Sequence, residues 1–171
     1  MLHSSILYAC ETYYDLKENE LRQLERIEEG FLRKLFGTSK GCPIVQLYLE
    51  SGHFPARFAI MKIRLSFLKC ILNENPESMI YKFLKLQYQN PTKGDWASNC
   101  TTDLKLLEID LSLEKIKNMP KIKFQNILKI SIEKKALSYL LNKQGRKGSN
   151  IKYTHLEMSE CLMLNNENFS I

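Results

Sequence analysis

The sequence predicts an all-α fold, an irregular bundle of about six to eight helices. Seven glycines and five prolines are few interruptions for 171 residues, which favours long helices. Apolar residues make up 44% of the chain, so extensive disorder is not expected. Several segments repeat apolar residues at three- and four-residue steps, the period of a helix that buries one face. A chain of this length forms one domain with a real core.

Two helices are predicted before residue 40. Residues 4–14 are apolar on one side and form a short helix. The second helix is capped by Asn19, and Gly37 supplies the left-handed residue just beyond its end. Its inward stripe is predicted from five apolar positions: Leu21, Leu24, Ile27, Phe31 and Leu35.

Three more helices are predicted before residue 90. Pro43 opens a short helix over residues 44–50. Residues 58–72 are apolar on most sides, which predicts a central and mostly buried helix. Its basic side chains are expected to emerge on one narrow stripe formed by Arg57, Lys62, Arg64 and Lys69. The next helix begins after residues 75–78 and extends to about residue 89.

The loop at residues 90–94 is the predicted boundary between a thumb-like helical region, residues 1–90, and a basic connector region, residues 91–171. An arrangement in two lobes hinged at this loop fits that division. Asp95 and Ser112 are predicted to cap the next two helices. Pro120 opens the longest helix, residues 121–143, and a last helix is predicted near residues 154–162.

Positive charge is concentrated late in the chain. Residues 113–152 contain eleven basic and two acidic residues, a net charge of +9 in a chain whose total is +6. A basic segment on a mildly acidic body suits a polyanion such as nucleic acid. The alternative is a solvated lysine-rich helix face, since lysine outnumbers arginine and bidentate phosphate recognition favours arginine.

The five cysteines are odd in number and widely spaced, which is not the pattern of a disulfide framework. A reducing, intracellular compartment, nuclear or cytoplasmic, is therefore expected. Cys10 and Cys70 lie in apolar surroundings and are predicted core residues. The sequence has no run of about 18 apolar residues and no secretory signal pattern, so we expect no membrane partner.

Several motifs recur here in a distinctive order. They are L-Y-A-C-E at residues 7–11, L-x-x-L-E-R-I-E-E-G-F-L-R-K-L-F-G at 21–37, P-I-V-Q-L-Y-L-E-S-G-H-F-P at 43–55 and K-G-D-W at 93–96. This series resembles the region just downstream of the palm in reverse transcriptases of non-LTR retrotransposons. The resemblance covers most of the chain, residues 6–164. It implies a thumb, which grips the template–primer duplex, followed by a helical connector.

The resemblance does not extend to catalysis. A polymerase palm needs paired carboxylates that hold two metal ions, and the family carries them in an Asp-Asp box upstream. This sequence contains no adjacent aspartates, and the Cys/His cluster that often follows the connector is also missing. The sequence therefore predicts a non-enzymatic fragment or derived gene that needs no cofactor and binds the RNA or DNA backbone weakly.

The predicted nucleic-acid contacts lie in two sets. The first follows from the basic segment and comprises Lys121, Lys123, Lys129, Lys134, Lys135, Arg146 and Lys147. The second set, Arg22, Arg26 and Arg33, falls on one side of the 21–36 helix because steps of four and seven residues keep side chains aligned. Pairing of these arginines with nearby glutamates, namely Glu18, Glu25, Glu28 and Glu29, is the competing interpretation.

Other interpretations carry less weight. Asp103 and Lys105, with Asp95, faintly resemble a metal-dependent nuclease set, but surface charges are the simpler explanation. Two Cys/His pairs, Cys42 with His53 and His155 with Cys161, lack the four ligands of a structural zinc site. Trp96 is predicted as a core anchor rather than a base-stacking platform. The alternative function is a protein-interaction module or homodimer, formed through an exposed apolar helix at residues 4–14.

Overall fold

The computed structural model of the protein describes residues 8–10 and 16–145. These residues contain seven helices and no strand, so the predicted all-α bundle is confirmed. In chain order the helices are α1 Glu18–Leu35, α2 Ile44–Ser51, α3 Ala56–Leu72, α4 Met79–Gln89, α5 Trp96–Leu106, α6 Leu113–Asn118 and α7 Lys121–Gly145. The helix predicted at residues 154–162 and most of the one at 4–14 lie outside the described residues.

Helix α3 is the centre of the bundle, as its apolar composition predicts. It packs against α1, α4, α5, α6 and α7. Leu65 and Leu68 on α3 are fully buried, and so are Phe124 and Leu128 on α7. A helix in contact with five others needs apolar residues around most of its circumference, because almost every side of it faces protein.

The apolar core crosses the boundary predicted at residue 90. The larger cluster joins α3 and Leu84 of α4 to residues of α5, α6 and α7. A smaller cluster joins Leu32 of α1 and most of α2 to Leu137 and Leu140. Helix α7 contributes to both clusters, so it connects the N-terminal helices to the remainder of the bundle.

The helix ends follow local sequence signals. Gly37 has a φ of +60°, and the amide of the next residue, Thr38, donates to the Arg33 carbonyl at 3.0 Å, which closes α1 with a Schellman motif. The Asp95 carboxylate caps α5 by accepting from the Ser98 amide at 2.6 Å. Ser112 caps α6 in the same way. The predicted cap at Asn19 is wrong, because α1 begins two residues earlier than predicted, with Lys17 at the N-cap position. The Glu20 carboxylate accepts from the Lys17 amide at 2.7 Å.

The predicted inward stripe of α1 is wrong. The buried residues of α1 are Glu25, Glu28 and Leu32, whereas Ile27 is 55% exposed and Leu35 is 63% exposed. The helix is rotated so that two glutamates face the bundle. Periodicity counts only apolar residues, and it therefore misses a buried face that is stabilised by hydrogen bonds from other helices.

The predicted basic stripe on α3 is also wrong. Arg64 and Lys69 are buried, at 6% and 3% exposure, and Arg57 is half-buried. The Lys69 ammonium donates to the carbonyl oxygens of Ile116 and Lys117, both at 2.7 Å, in the last turn of α6. A cation at this position satisfies free carbonyl groups and complements the helix dipole. Burial lowers the pKa of Lys69.

The cysteine predictions divide. Cys10 is fully buried, as predicted, whereas Cys70 is exposed because it lies on the solvent side of α3. Cys100, on α5, is fully buried in the larger core cluster.

None of the helices within residues 16–145 is both long enough and apolar enough to cross a membrane.

Two residues of α7 provide a direct test of this packing. Leu128 is fully buried, and Ile130, two positions later, is 65% exposed. Leu128→Ala is expected to lower the free energy of unfolding by about 2–5 kcal/mol, because it opens a cavity in the core. Ile130→Ala should change it by less than about 0.5 kcal/mol. Denaturant unfolding of both variants measures the difference, and equal losses would contradict the burial described here.

Candidate nucleic-acid interface

Three of the predicted lysines on α7 are free to contact a polyanion. Lys121, Lys123 and Lys129 are exposed, and none of them forms an ion pair with another described residue. An ammonium group on a flexible side chain in water is suited to phosphate contacts that ignore base sequence. These three lysines therefore form the part of the predicted set with the fewest competing interactions.

Lys134 and Lys135 already form ion pairs within the protein. Both donate to the carboxylate of Glu108, at 3.2 Å and 2.6 Å. Glu108 follows α5 and has a φ of +57°, so a non-glycine residue takes the left-handed position that ends this helix. The two ammonium groups lower the pKa of Glu108 and keep its carboxylate charged. A phosphate that binds here would have to compete with this carboxylate.

Arg33 has a structural role. Its guanidinium donates to the carbonyl oxygens of Ser39 and Cys42, at 2.8 Å and 2.9 Å. These contacts fix the loop between α1 and α2. Two of its donors are thus used within the protein, which leaves fewer for a phosphate.

Arg22 and Arg26 remain exposed on α1. Arg22 donates to Glu18 at 3.0 Å, a pair with 60% and 51% of the two side chains exposed. Arg26 forms no ion pair with a described residue. Both arginines line a hollow of about 480 Å³ together with Asn142 and Lys143 near the end of α7, and three glutamates of α1 line the same hollow: Glu18, Glu25 and Glu29. The structure therefore brings the arginines of α1 close to the C-terminal end of the basic helix.

The predicted contacts do not form a single patch on the described residues. Lys121 and Lys143 are 22 residues apart on one helix, which corresponds to about 33 Å along its axis. The free lysines lie near the start of α7, and the α1 arginines lie near its end. Arg146 and Lys147 follow α7 directly but lie outside the described residues.

Buried glutamates of α1 connect it to three other helices. Glu25 is 1% exposed and accepts hydrogen bonds from Arg57 on α3 and from the Tyr139 hydroxyl on α7, the latter at 2.8 Å. Lys143 on α7 lies 3.4 Å from Glu25 and 2.5 Å from Glu29. Each buried carboxylate thus has several donors, which is what offsets the cost of removing it from water.

Glu28 forms the second half of this arrangement. One carboxylate oxygen accepts from the Tyr48 hydroxyl on α2 and from the Ala56 amide at the start of α3, both at 2.9 Å. The amide contact satisfies one of the free N–H groups at the start of α3. Burial raises the pKa of Tyr48, and the nearby Glu28 charge raises it further, so the phenol stays a donor. We call these residues the glutamate cluster: Glu18, Glu25, Glu28, Glu29, Tyr48, Arg57, Tyr139 and Lys143.

Arg57 is the central cation of the glutamate cluster. Its guanidinium carbon lies 4.5 Å above the centre of the Tyr139 ring, and one of its nitrogens is 3.1 Å from Glu18. The Arg57 hydrogen bond is the main reason that the pKa of Glu18 is lowered. Of the competing pairs between α1 glutamates and arginines, only Glu18 with Arg22 forms among the described residues. Glu25, Glu28 and Glu29 find their partners on other helices.

The residues of the faint nuclease resemblance are separated by their structural roles. Asp95 is the cap of α5, where its oxygens accept from the Thr92 and Ser98 amides. Asp103 is 6% exposed and pairs with the Arg64 guanidinium at 2.8 Å. Burial raises the pKa of Asp103 to about 6, against the opposing effect of Arg64. Asp103 is thus not the surface charge that the simpler explanation assumed, and it forms part of a buried ion pair.

No cluster of three or more His, Cys, Asp or Glu side chains within residues 16–145 could hold a metal ion. Of the two loose Cys/His pairs, His155 with Cys161 lies outside the described residues.

Trp96 is partly buried and packs edge-on against Phe67, with ring centres 5.9 Å apart. This contact fits its predicted role as an anchor.

Comparisons with protein-family models, with curated proteins and with solved structures found no match to this chain. The resemblance to reverse transcriptases of non-LTR retrotransposons thus rests on the motifs in the sequence and stays a prediction.

Sequence reasoning missed the glutamate cluster. The signal was present in and beside the motifs, because Glu25 and Glu28 are one helical turn apart, the 43–55 motif contains Tyr48, and Arg57 follows that motif by two residues. Tyr139 had no such signal, since it lies more than a hundred residues away in sequence. Only the packing of α7 on α1 and α3 brings it to the cluster.

Arg57→Ala tests the importance of the cluster. Removing this guanidinium leaves the buried Glu25 carboxylate short of its main cation, and we expect a loss of about 3–5 kcal/mol in the free energy of unfolding. Arg22→Ala removes the exposed partner of Glu18 and should cost less than about 1 kcal/mol. Denaturant unfolding at neutral pH compares the two variants. Similar small losses would show that the cluster contributes little.

The lowered pKa of Glu18 gives a prediction for acid conditions. A carboxyl whose pKa is lower in the folded state adds stability that is present above its ordinary pKa of 4.5 and lost as pH falls below it. Glu18→Gln should therefore flatten the fall in stability between about pH 5 and pH 2. Glu74→Gln, at an exposed glutamate that forms no ion pair with another described residue, is the control and should retain the wild-type profile. Thermal unfolding across this pH range distinguishes them.

Proposed function

We propose that this chain is a non-catalytic helical module derived from a non-LTR retrotransposon reverse transcriptase, and that it binds the RNA or DNA backbone without sequence preference. The observation that carries the binding proposal is the set of exposed lysines on α7 that form no ion pair with another described residue: Lys121, Lys123 and Lys129. Lys129 differs from the other two in that its charge opposes the raised pKa of the nearby Glu133. A phosphate can contact these lysines without breaking an ion pair between described residues.

The motifs on which the resemblance rests have a structural use in this protein. Glu25, Glu28 and Tyr48 belong to them and take part in the glutamate cluster, together with Arg57, which follows the 43–55 motif by two residues. These residues thus hold α1, α2 and α3 together. This use supports a role as a helical scaffold, which is what a thumb-like region supplies.

The geometry favours weak and salt-sensitive binding. Lysines present point charges in water, and they lack the planar fork with which an arginine can hold a phosphate through two hydrogen bonds. Non-specific complexes of this kind have dissociation constants of roughly 10⁻⁴ to 10⁻⁶ M at physiological salt. The segment that follows α7 in the sequence adds Arg146 and Lys147, which lie outside the described residues.

The second candidate is a protein-interaction or homodimerisation module without a role in nucleic-acid binding. Exposed apolar side chains on α1 favour it, since Ile27, Phe31 and Leu35 are each at least 40% exposed. Retention of a labelled duplex by the protein would support the first candidate. An oligomer that does not bind the duplex would support the second.

Charge reversal on α7 tests the binding proposal. Lys121→Glu with Lys123→Glu should weaken binding of a labelled 20-base-pair duplex by at least about tenfold and lower the slope of log K against log salt by about two. Fluorescence anisotropy titrations at several salt concentrations between about 25 and 200 mM measure both the affinity and the slope.

The matched control changes the same net charge elsewhere. Lys85→Glu with Lys93→Glu alters two exposed lysines on α4 and in the loop before α5. This variant should keep the slope and lose only the small affinity that follows from total charge. Equal losses in both double variants would contradict an interface on α7, and a wild-type protein that does not bind the duplex would contradict the binding proposal itself.

A further inference from the structure

The solvent side of α1 carries an apolar face that no other described element covers. Ile27 is 55% exposed, Phe31 is 40% exposed and Leu35 is 63% exposed. Leu24 borders the same face and is half-buried. Exposed apolar residues that are contiguous on one helix, rather than scattered, mark a surface that another protein covers.

The spacing of this face fits a second helix. Leu24, Ile27 and Phe31 are separated by steps of three and four residues, and Lys34 and Leu35 continue the series. Side chains at such steps form a continuous seam along a helix, into which the side chains of a facing helix can pack.

Two charged residues mark the ends of the seam. Glu20 and Lys34 lie seven residues before and after Ile27, and steps of seven place all three on nearly the same side of the helix. Both charged side chains are exposed, and neither forms an ion pair with another described residue. The seam is thus acidic at one end, basic at the other and apolar between them.

We propose that α1 pairs with α1 of a second copy of this chain, antiparallel, about a two-fold axis that passes near Ile27. Each Glu20 then lies opposite Lys34 of the second copy, and the apolar residues of the two seams pack between these two ion pairs. A parallel pairing would place Glu20 against Glu20 and Lys34 against Lys34. The arrangement of charges therefore selects the antiparallel dimer.

The dimer does not compete with the fold. Glu25 and Glu28 occupy a different side of α1, where they are buried against α2, α3 and α7. It also leaves the exposed lysines at the start of α7 unused. The inference is independent of nucleic-acid binding, and the measurement of mass that tests it is independent as well.

Charge variants and their mixture test the pairing and its direction. The wild-type protein should approach twice its 20.0 kDa mass as its concentration rises in sedimentation equilibrium. Glu20→Lys and Lys34→Glu should each shift the equilibrium to monomer, because each variant brings like charges together at both ends. An equimolar mixture of the two variants should recover the dimer, since the heterodimer again has opposite charges at both ends, with the sign reversed at one end and unchanged at the other.

The mixture also excludes a trivial explanation. Glu20→Lys removes the hydrogen bond to the Lys17 amide, but a misfolded variant would not be rescued by its partner. Glu74→Lys and Lys85→Glu, at exposed positions outside α1, are the matched controls and should leave the mass unchanged. A wild-type monomer at all concentrations would overturn the proposal. Single variants that dimerise as the wild type does, or a mixture that stays monomeric, would do the same.

Discussion

The position of α1 depends on two buried carboxylates. Glu25 and Glu28 are 1% and 3% exposed, yet each accepts hydrogen bonds from other helices. Carboxylates are costly to bury, so this face is stable only while its donors on α2, α3 and α7 are in place. The requirement fixes the rotation of α1 about its axis. It also fixes the start of α3, because the Ala56 amide is one of the donors.

The rotation of α1 has two results at the surface. It turns the apolar side chains of Ile27, Phe31 and Leu35 toward solvent, which gives the helix a seam for a second copy. It also places Arg22 and Arg26 beside the end of α7, in a shared hollow with Lys143. The exposed apolar seam and the position of the two arginines thus both follow from the orientation of α1 in the bundle.

The sequence predicts where the helices lie better than it predicts which side of each helix is buried. The helices within residues 16–145, the caps at Asp95 and Ser112 and the central position of α3 follow from local signals and apolar content. The inward face of α1 and the burial of Arg64 do not, because they depend on partners distant in sequence. Asp103, the partner of Arg64, is 39 residues away. For the candidate interface, the charge composition predicts which lysines are available to bind nucleic acid. It does not predict that Lys134 and Lys135 form ion pairs with Glu108.

The glutamate cluster also sets an order of events during synthesis. Glu25 is joined to Tyr139 across 114 residues and to Lys143 across 118. At the usual rates of translation, roughly 6 to 20 seconds separate the emergence of α1 from that of its last donors. Throughout that interval Glu25 lacks its donors on α7, whereas Tyr48 and the Ala56 amide, the donors to Glu28, are already synthesised. Completion of the glutamate cluster therefore requires α7, which is the last of the described helices to be synthesised.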